Sequence, residues 1–306
     1  MMEKLVINKL PTRTWNRLGV NEALIEWDAA NAEKLPEERV NAAADEKKTA
    51  HITVRGDSEY AEKTVTLTLA PGAELTVFED MAASHKLSVK TDVTLGVNAK
   101  LRLVQVQSAG EQGLARSAIT ADCAEGAGLE LVQILLGAGD VYSDCLIELR
   151  GDDSGFKAEV GYIGRGAQKL DVNLVCNHYG KRTESEISAN GALMDAAEKI
   201  FRGTIDFKTG SSDSVGNEKE TVLMLGENAV NKTVPLILCA EENVVGNHGA
   251  TIGELDAETL FYFESRGISR TEAESILARS AVERLARTVG DAAVEERIMT
   301  LLNEEV

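Results

Sequence analysis

From His51 onward apolar residues fall at every second position, in HITVR, TVTLTLAPGAELTVFED, KLSVKTDVTLGVNAKLRLVQVQ, ARSAITADCAEGAGLELVQILL, DCLIELRGDDSGFKAEVGYIG and KLDVNLVCNHYG. Successive side chains of a strand point to opposite sides, so this alternation marks strands with one buried face. The turns recur as regularly. APGAELTV, VNAKLRLV and EGAGLELV each place a small residue two before a Leu, at Ala73/Leu75, Ala99/Leu101 and Ala127/Leu129. The steps are 26 and 28 residues, and a weaker echo, Gly155 before Lys157, follows 28 residues on. Such a recurrence in short β segments, with no helical pattern between them, suggests a solenoid whose turns stack and hydrogen-bond along the axis. A β-sandwich gives similar alternation, so the pattern alone leaves both open. Aromatics at 4% and 26 Gly suit an interior filled by Val, Leu, Ile and Ala.

The flanks read differently. Residues 1–20 hold Leu5-Val6-Ile7 and then LPTRTWNRLG, a short strand and turn tying the N-terminus to the body. Residues 28–48 are Ala, Glu, Asn and Lys with one Pro at 36, which reads as a surface helix or a flexible linker. Residues 187–207 fit a turn or two of helix, or two strands and a turn; a solenoid favours the second. KTGSSDSVGNEKE, residues 208–220, is expected to be an exposed loop, and strand returns in TVLMLGENAVNKTVPLILC.

Helical character begins within residues 247–268. Asp256 is a good N-cap, because its carboxylate can accept from the free N–H groups of a first turn that carries Leu260, Phe261 and Phe263. Arg266-Gly267 closes that helix, and Ser269 with Glu272 forms the capping box of the next. In the tail Ala273, Ile276, Leu277, Ala281, Leu285 and Val289 share one face; Gly290 and Asp291 separate it from a stripe of Val294, Ile298, Leu301 and Leu302. The chain divides into residues 1–50, an N-terminal segment and helical linker; 51–250, the β core; and 251–306, a helical subdomain.

A net charge of −18 and a pI near 4.7 argue against nucleic acid, which needs a basic footprint. No apolar run is long enough to span a bilayer and the opening residues show no secretory signal, so a cytoplasmic protein is expected. The cysteines at 123, 145, 176 and 239 form no C-x-x-C, which points to neither a zinc ribbon nor a disulfide framework. Cys123, Cys145 and Cys239 sit among apolar alternation and read as core. Cys176 and His178 share a strand face and are a weak pair of metal candidates, a buried Cys beside a polar His being the commoner arrangement. No G-x-x-x-x-G-K-[ST], G-x-S-x-G or H-E-x-x-H is present, and GYIGRG, residues 161–166, reads as turns between strands. No catalytic residue is indicated.

The words HGAT, LFYFESRGI and EAESIL, spread over residues 248–277, resemble the C-terminal signature of the SufB/SufD family, scaffold proteins of the SUF iron–sulfur cluster assembly system. The opening residues also look like those of SufD-type sequences. The resemblance implies a mainly β fold: a right-handed parallel β-helix core with terminal helical parts, which decides between solenoid and sandwich. It further implies that His248, in the H-x-A-T segment, is associated with a nascent cluster at the interface of two family members; neutral imidazole is a competent iron ligand. The family's helical tail docks the ABC-type ATPase SufC, which makes Tyr262, Phe263, Arg266, Gly267 and Ile268 candidate docking residues. The structural alternative is that these side chains cap the end of the solenoid.

Two departures from the SufB-type pattern matter. Those members carry Glu after the His, where this chain has Gly249, and a Cys in a G-x-x-C-x-x-x-T stretch, where residues 226–233 place Ala229. Ala cannot bind a cluster, so the chain looks SufD-like. The expectation is a non-catalytic subunit that pairs with a SufB-type scaffold and docks the ATPase. It would hold no tightly bound cofactor, though the resemblance allows a transient iron–sulfur cluster at a subunit interface. The alternatives are a sole homodimeric scaffold with the ATPase, and a carbohydrate-active β-helix protein.

Overall fold

The computed structural model describes residues 3–305, the side chains of Ala281 and Glu305 excepted. A short antiparallel hairpin comes first, β1 (Glu3–Ile7) and β2 (Ala23–Trp27). Then follow β3 (Glu33–Lys34), β4 (Glu38–Ala42) and β5 (Lys47–Gly56). From here strands alternate between two sheets. The even sheet holds β6 (Tyr60–Leu69), β8 (Lys86–Leu95), β10 (Leu114–Cys123), β12 (Asp140–Leu149), β14 (Lys169–His178), β16 (Glu198–Phe207) and β18 (Val230–Cys239). The odd sheet continues from β5 through β7 (Glu74–Ala83), β9 (Lys100–Ala109), β11 (Gly128–Gly137), β13 (Gly155–Gly164), β15 (Glu184–Leu193), β17 (Ser214–Met224) and β19 (Val244–Glu254).

Every pairing within the two sheets is parallel, and β3 and β4 both pair with β6. The result is a parallel β-solenoid of about 8 turns; among the described residues the α-helices lie in its C-terminal part, and a single 3-10 turn, Asn16–Leu18, precedes the coils. The repeat seen in the sequence is the coil register itself: Leu75 pairs with Leu101 and Leu101 with Leu129. Next in that row stands Phe156, so the echo at Lys157 is out of step by one residue. Each coil but the last turns through a left-handed residue just before its odd strand: Asp45, Gly72, Asn98, Gly126, Asp153, Arg182 and Asp213 all have positive φ. Gly, Asn and Asp tolerate that conformation best, which is why turn chemistry recurs with the strands.

The lumen between the sheets is packed with rows of matched side chains. One such row is Leu67, Val93, Ala121, Ile147, Cys176 and Ile205, all buried. Cys123 and Cys145 are buried there too, as the alternation implied. The N-terminal hairpin straps the outer face of the even sheet, where Ile7, Ile25 and Trp27 pack with Tyr60, Leu114 and Tyr142. Asn8 Nδ2 donates to the carbonyl of Asp171 at 2.9 Å, and buried Arg202 donates to the carbonyl of Val20 and to the Asp171 carboxylate, each at 2.5 Å.

The other outer face is covered by helices. α1 (Ala257–Ser265), α2 (Arg270–Ala286) and α3 (Ala292–Glu305) follow the last strand, and Val282, Ala286, Val289, Ile298, Leu301 and Leu302 pack on Val104, Val132, Ile134 and Leu136. The helix boundaries follow the caps read from the sequence. Asp256 accepts from Thr259 N, the Ser269–Glu272 box is formed in both directions, and Gly267 and Gly290 have positive φ. Asp291 accepts from Ala293 N and Val294 N at the start of α3.

Several readings are corrected. Residues 28–48 contain no α-helix; their Val40 and Ala42 face inward from β4, with polar residues between them. The expected loop at residues 208–220 is a loop only to Asp213, because Ser214–Met224 forms β17 with Glu218 and Glu220 turned into the lumen. Residues 187–207 are two strands and a turn, as a solenoid requires. Cys239 is exposed, since the strand carrying it is the last of its sheet.

The tail also rotates from its expected face. Ile276 is 48% exposed, while Ala273, Ala278, Val282, Ala286 and Val289 are buried; the side chain of Ala281 lies outside the described residues. The reason is the surface beneath. Gly161 and Gly164 belong to β13 and not to turns, and a Cβ at Gly161 would meet Leu285 at 3.1 Å and Val282 at 3.7 Å. A helix this close to a flat sheet presents its small side chains. Gly161→Leu is therefore expected to destabilise the chain by about 1–3 kcal/mol through overpacking, with faster amide exchange in α2; unchanged urea unfolding would show that α2 docks elsewhere.

Candidate functional site

The C-terminal end of the solenoid is where its building principle runs out. β18 pairs with β16 and β19 with β17, but among the described residues neither has a neighbour on its other side. Strands of 10 and 11 residues thus end the two sheets with a row of unpaired backbone groups each. Side chains that elsewhere fill the lumen are here open to solvent. The inward row of β19 contains Gly246, His248, Ala250 and Ile252, in register with Gly216, Glu218, Glu220 and Val222 of the coil below. Facing it from β18 is the row of Asn231, Thr233, Pro235, Ile237 and Cys239, above Lys199, Phe201, Gly203, Ile205 and Phe207.

Directly under this open coil lies a buried charged cluster. Lys199 is 1% exposed, wedged between the rings of Tyr162 and Phe201 at 5.3 and 5.6 Å, and its ammonium meets the Glu220 carboxylate. Glu220 also accepts from Thr233 of the last coil. Glu218 packs on the bare backbone of Gly203, in the space that a Cβ there would fill. Burial pushes the Glu218 carboxyl up to about 7, against the pull of Lys199, and burial drives the Lys199 amine well below its ordinary value against the pull of Glu218. His248 stands one coil above Glu218 in strand register, so imidazole and buried acid belong to the same row.

A second buried acid lies toward the other end of the lumen. Glu79 accepts from Gln105 Nε2 at 2.6 Å, and burial raises it to about 7 despite that bond and Lys63. Both acids have folded pKa values above the ordinary 4.5, so each stabilises the fold below that value and loses its contribution as pH rises toward 7. Glu79→Gln with Glu218→Gln is expected to remove a fall in stability of about 2–3 kcal/mol per carboxylate across that window. Urea unfolding at a series of pH values checks this; parallel profiles for variant and wild type would contradict it.

The other sequence candidates sit apart from the open coil. Cys176 Sγ lies 3.7 Å from His178 Nε2, but both are buried and the imidazole is already engaged by Thr183 at 2.7 Å and Ser185 at 2.9 Å. Burial holds His178 down at about 4, a neutral ring in a polar corner of the core. α1 buries none of its residues: Tyr262 and Arg266 are exposed, Phe263 and Ile268 half-buried, and the unassigned Phe261 is 71% exposed. The Arg266 guanidinium lies over the Tyr262 ring at 5.2 Å. These side chains do not plug the solenoid, because the inward row of β19 stays exposed. Among the described residues no three His, Cys, Asp or Glu side chains converge as a metal site requires.

Sequence reasoning did not find Lys199, Glu218, Glu220 or the exposed Cys239. Glu218 and Glu220 stand two apart, as one strand face demands, but their polar surroundings concealed the strand. A concavity of 1110 Å³ runs along the outer odd sheet past Lys100, Arg102, Glu130, Lys157 and Glu186. Its one aromatic, Phe156, is buried, so it offers no ring on which a sugar could stack.

Fold and site together define an open-ended parallel β-solenoid with a helical corner standing clear of its body. Residues 51–281 match the SufBD core domain of SUF-system FeS cluster assembly. The chain belongs to the SufB/SufD family. Among its relatives is the iron–sulfur cluster assembly protein SufD of Bacillus subtilis, 28% identical over 172 residues, which are 56% of this chain and 39% of that protein. The SufD of Escherichia coli is 23% identical over 246 residues, 78% of this chain and 58% of the relative. The SufB of Bacillus subtilis is 24% identical over 163 residues, 53% of this chain and 35% of that protein. The chain thus spans well under two thirds of each. No described helix is long and apolar enough to cross a membrane.

Proposed function

We propose that the chain is a SufD-like, non-catalytic subunit of an iron–sulfur cluster assembly complex. It pairs through its open coil with a SufB-type solenoid and receives a SufC-type ABC ATPase on the α1–α2 corner. The observation that carries this reading is the terminal coil, whose two long edge strands expose His248 on the inward row. A second solenoid placed end to end would satisfy those edges and enclose His248 between two lumens. The nascent cluster is cargo at that junction. This chain would lend His248, while the thiolate comes from the partner, because Ala229 occupies the place of the SufB-type Cys.

The exposed Phe261 and Tyr262, with half-buried Phe263 and Ile268 at the helix corner, suit a hydrophobic groove on an ATPase. Nucleotide-driven closure of the ATPases would then move the junction that holds His248. Anaerobic co-expression with a SufB-type protein and a SufC-type ATPase from the same source tests the whole assignment. A complex of all three that loses the ATPase when the chain is cut before Asp256 supports it; failure to bind either protein overturns it.

A further inference from the structure

The N-terminal hairpin runs along the solenoid axis toward the open end. Its Trp27 end is fixed at β6, where Nε1 donates to Glu62 at 2.7 Å. Farther along, Asn8 is anchored on β12 and β14 through the carbonyls of Ser143 and Asp171, and Val20 on β16 through Arg202. Arg202 stands on β16, in register with Val234 of the edge strand β18, and its guanidinium holds Val20 beside Asp171 of β14, near the last strands of the even sheet. The connection between β1 and β2 therefore sits at the rim of the open coil.

That connection is a built loop. Leu10 N donates to Asn21 O at 2.9 Å, Thr14 N to Asn21 Oδ1 at 2.6 Å, and Asn21 Nδ2 to Asn16 Oδ1 at 3.0 Å. Leu10 and Val20 are buried at its base, while Trp15 is 78% and Leu18 55% exposed at its tip. Trp has few rotatable bonds and a large apolar surface, so an exposed Trp on a hydrogen-bonded loop is a common kind of interface anchor. The charge is also local. Residues 3–22 carry Lys4, Lys9, Arg13 and Arg17 against Glu3 and Glu22, in a chain of net charge −18.

We propose that residues 11–19 form a docking arm that grips the outer face of the solenoid seated on the open end, with Trp15 and Leu18 as apolar anchors and Arg13 and Arg17 against acidic side chains of that partner. The inference rests on the end-to-end pairing above and adds a contact outside the shared lumen. It accounts for two apolar side chains that a hydrogen-bonded loop leaves largely in solvent.

The test uses the full chain and a SufB-type subunit from the same source. Trp27 is buried, so Trp15 supplies the solvent-exposed emission, identified as the component missing in Trp15→Ala. Pairing is expected to shield that component from acrylamide. Trp15→Ala with Leu18→Ala should weaken pairing by at least about tenfold, with unfolding of the free chain unchanged. Arg13→Glu with Arg17→Glu should weaken it most at low salt. Pairing of these variants with wild-type affinity, or a wild-type pair that leaves Trp15 open to quencher, overturns the arm alone. No pair with the wild-type chain overturns both the arm and the end-to-end reading.

Discussion

Glu220→Ala should destabilise the chain by about 1–3 kcal/mol, the cost of leaving the buried Lys199 nitrogen without its partner, since burial lets the amine shed its proton. The Lys199 amine is enclosed by Tyr162, Phe201 and Glu220 and is 1% exposed. Glu218 is near, but burial raises its carboxyl to about 7, so at neutral pH it is only partly ionised and replaces the lost charge incompletely. Thr233 would also lose its acceptor, coupling the damage to the last coil. Replacing both partners, Lys199→Met with Glu220→Leu, should recover much of the loss, because a pair of apolar groups of similar volume carries no desolvation penalty. Equilibrium urea unfolding of the single and double variants measures this. A single variant as stable as wild type would mean that Lys199 reaches water.

The second large effect is on assembly. Val245 and Ile252 of β19 are 52% and 57% exposed and stand at the free edge. Val245→Lys with Ile252→Lys places two charges where a second solenoid would have to desolvate them, the device by which natural edge strands refuse partners. Pairing with a SufB-type subunit should weaken by about 30-fold or more. The free chain should lose little stability, since both side chains are already largely in water. Sedimentation of wild type and variant with the partner checks both statements; equal affinities would move the interface away from this edge.

Sequence made the solenoid legible because a coil imposes its register on the chain. Leu75, Leu101 and Leu129 repeat since each stacks on the last, and the helix corner is written in Asp256, Gly267, Ser269 and Glu272, whose capping chemistry is local. What escaped was decided by contacts between distant segments. Arg202 binds Val20 and Asp171 to pin the strap across 182 residues of chain, and no pattern near either end announces it. The face of α2 was misjudged at Ile276, since large side chains set the apparent stripe while Gly161 selects small ones. Glu218 and Glu220 read as surface because a charge buried in a lumen looks, in sequence, like a charge in a loop.

The open end itself was only half visible. His248 was singled out through the family signature, but its place in the row above Glu218 depends on strand register. Cys239 had the pattern of a core residue and lacks only the next coil that would bury it.

The central claim, that the last coil is a junction, is tested most directly by amide hydrogen exchange of the chain alone and with a SufB-type subunit. Protection is predicted to rise across Val230–Cys239 and Val244–Glu254, with the earlier coils unchanged. A pair that forms while those two strands exchange as they do in the free chain would contradict the account.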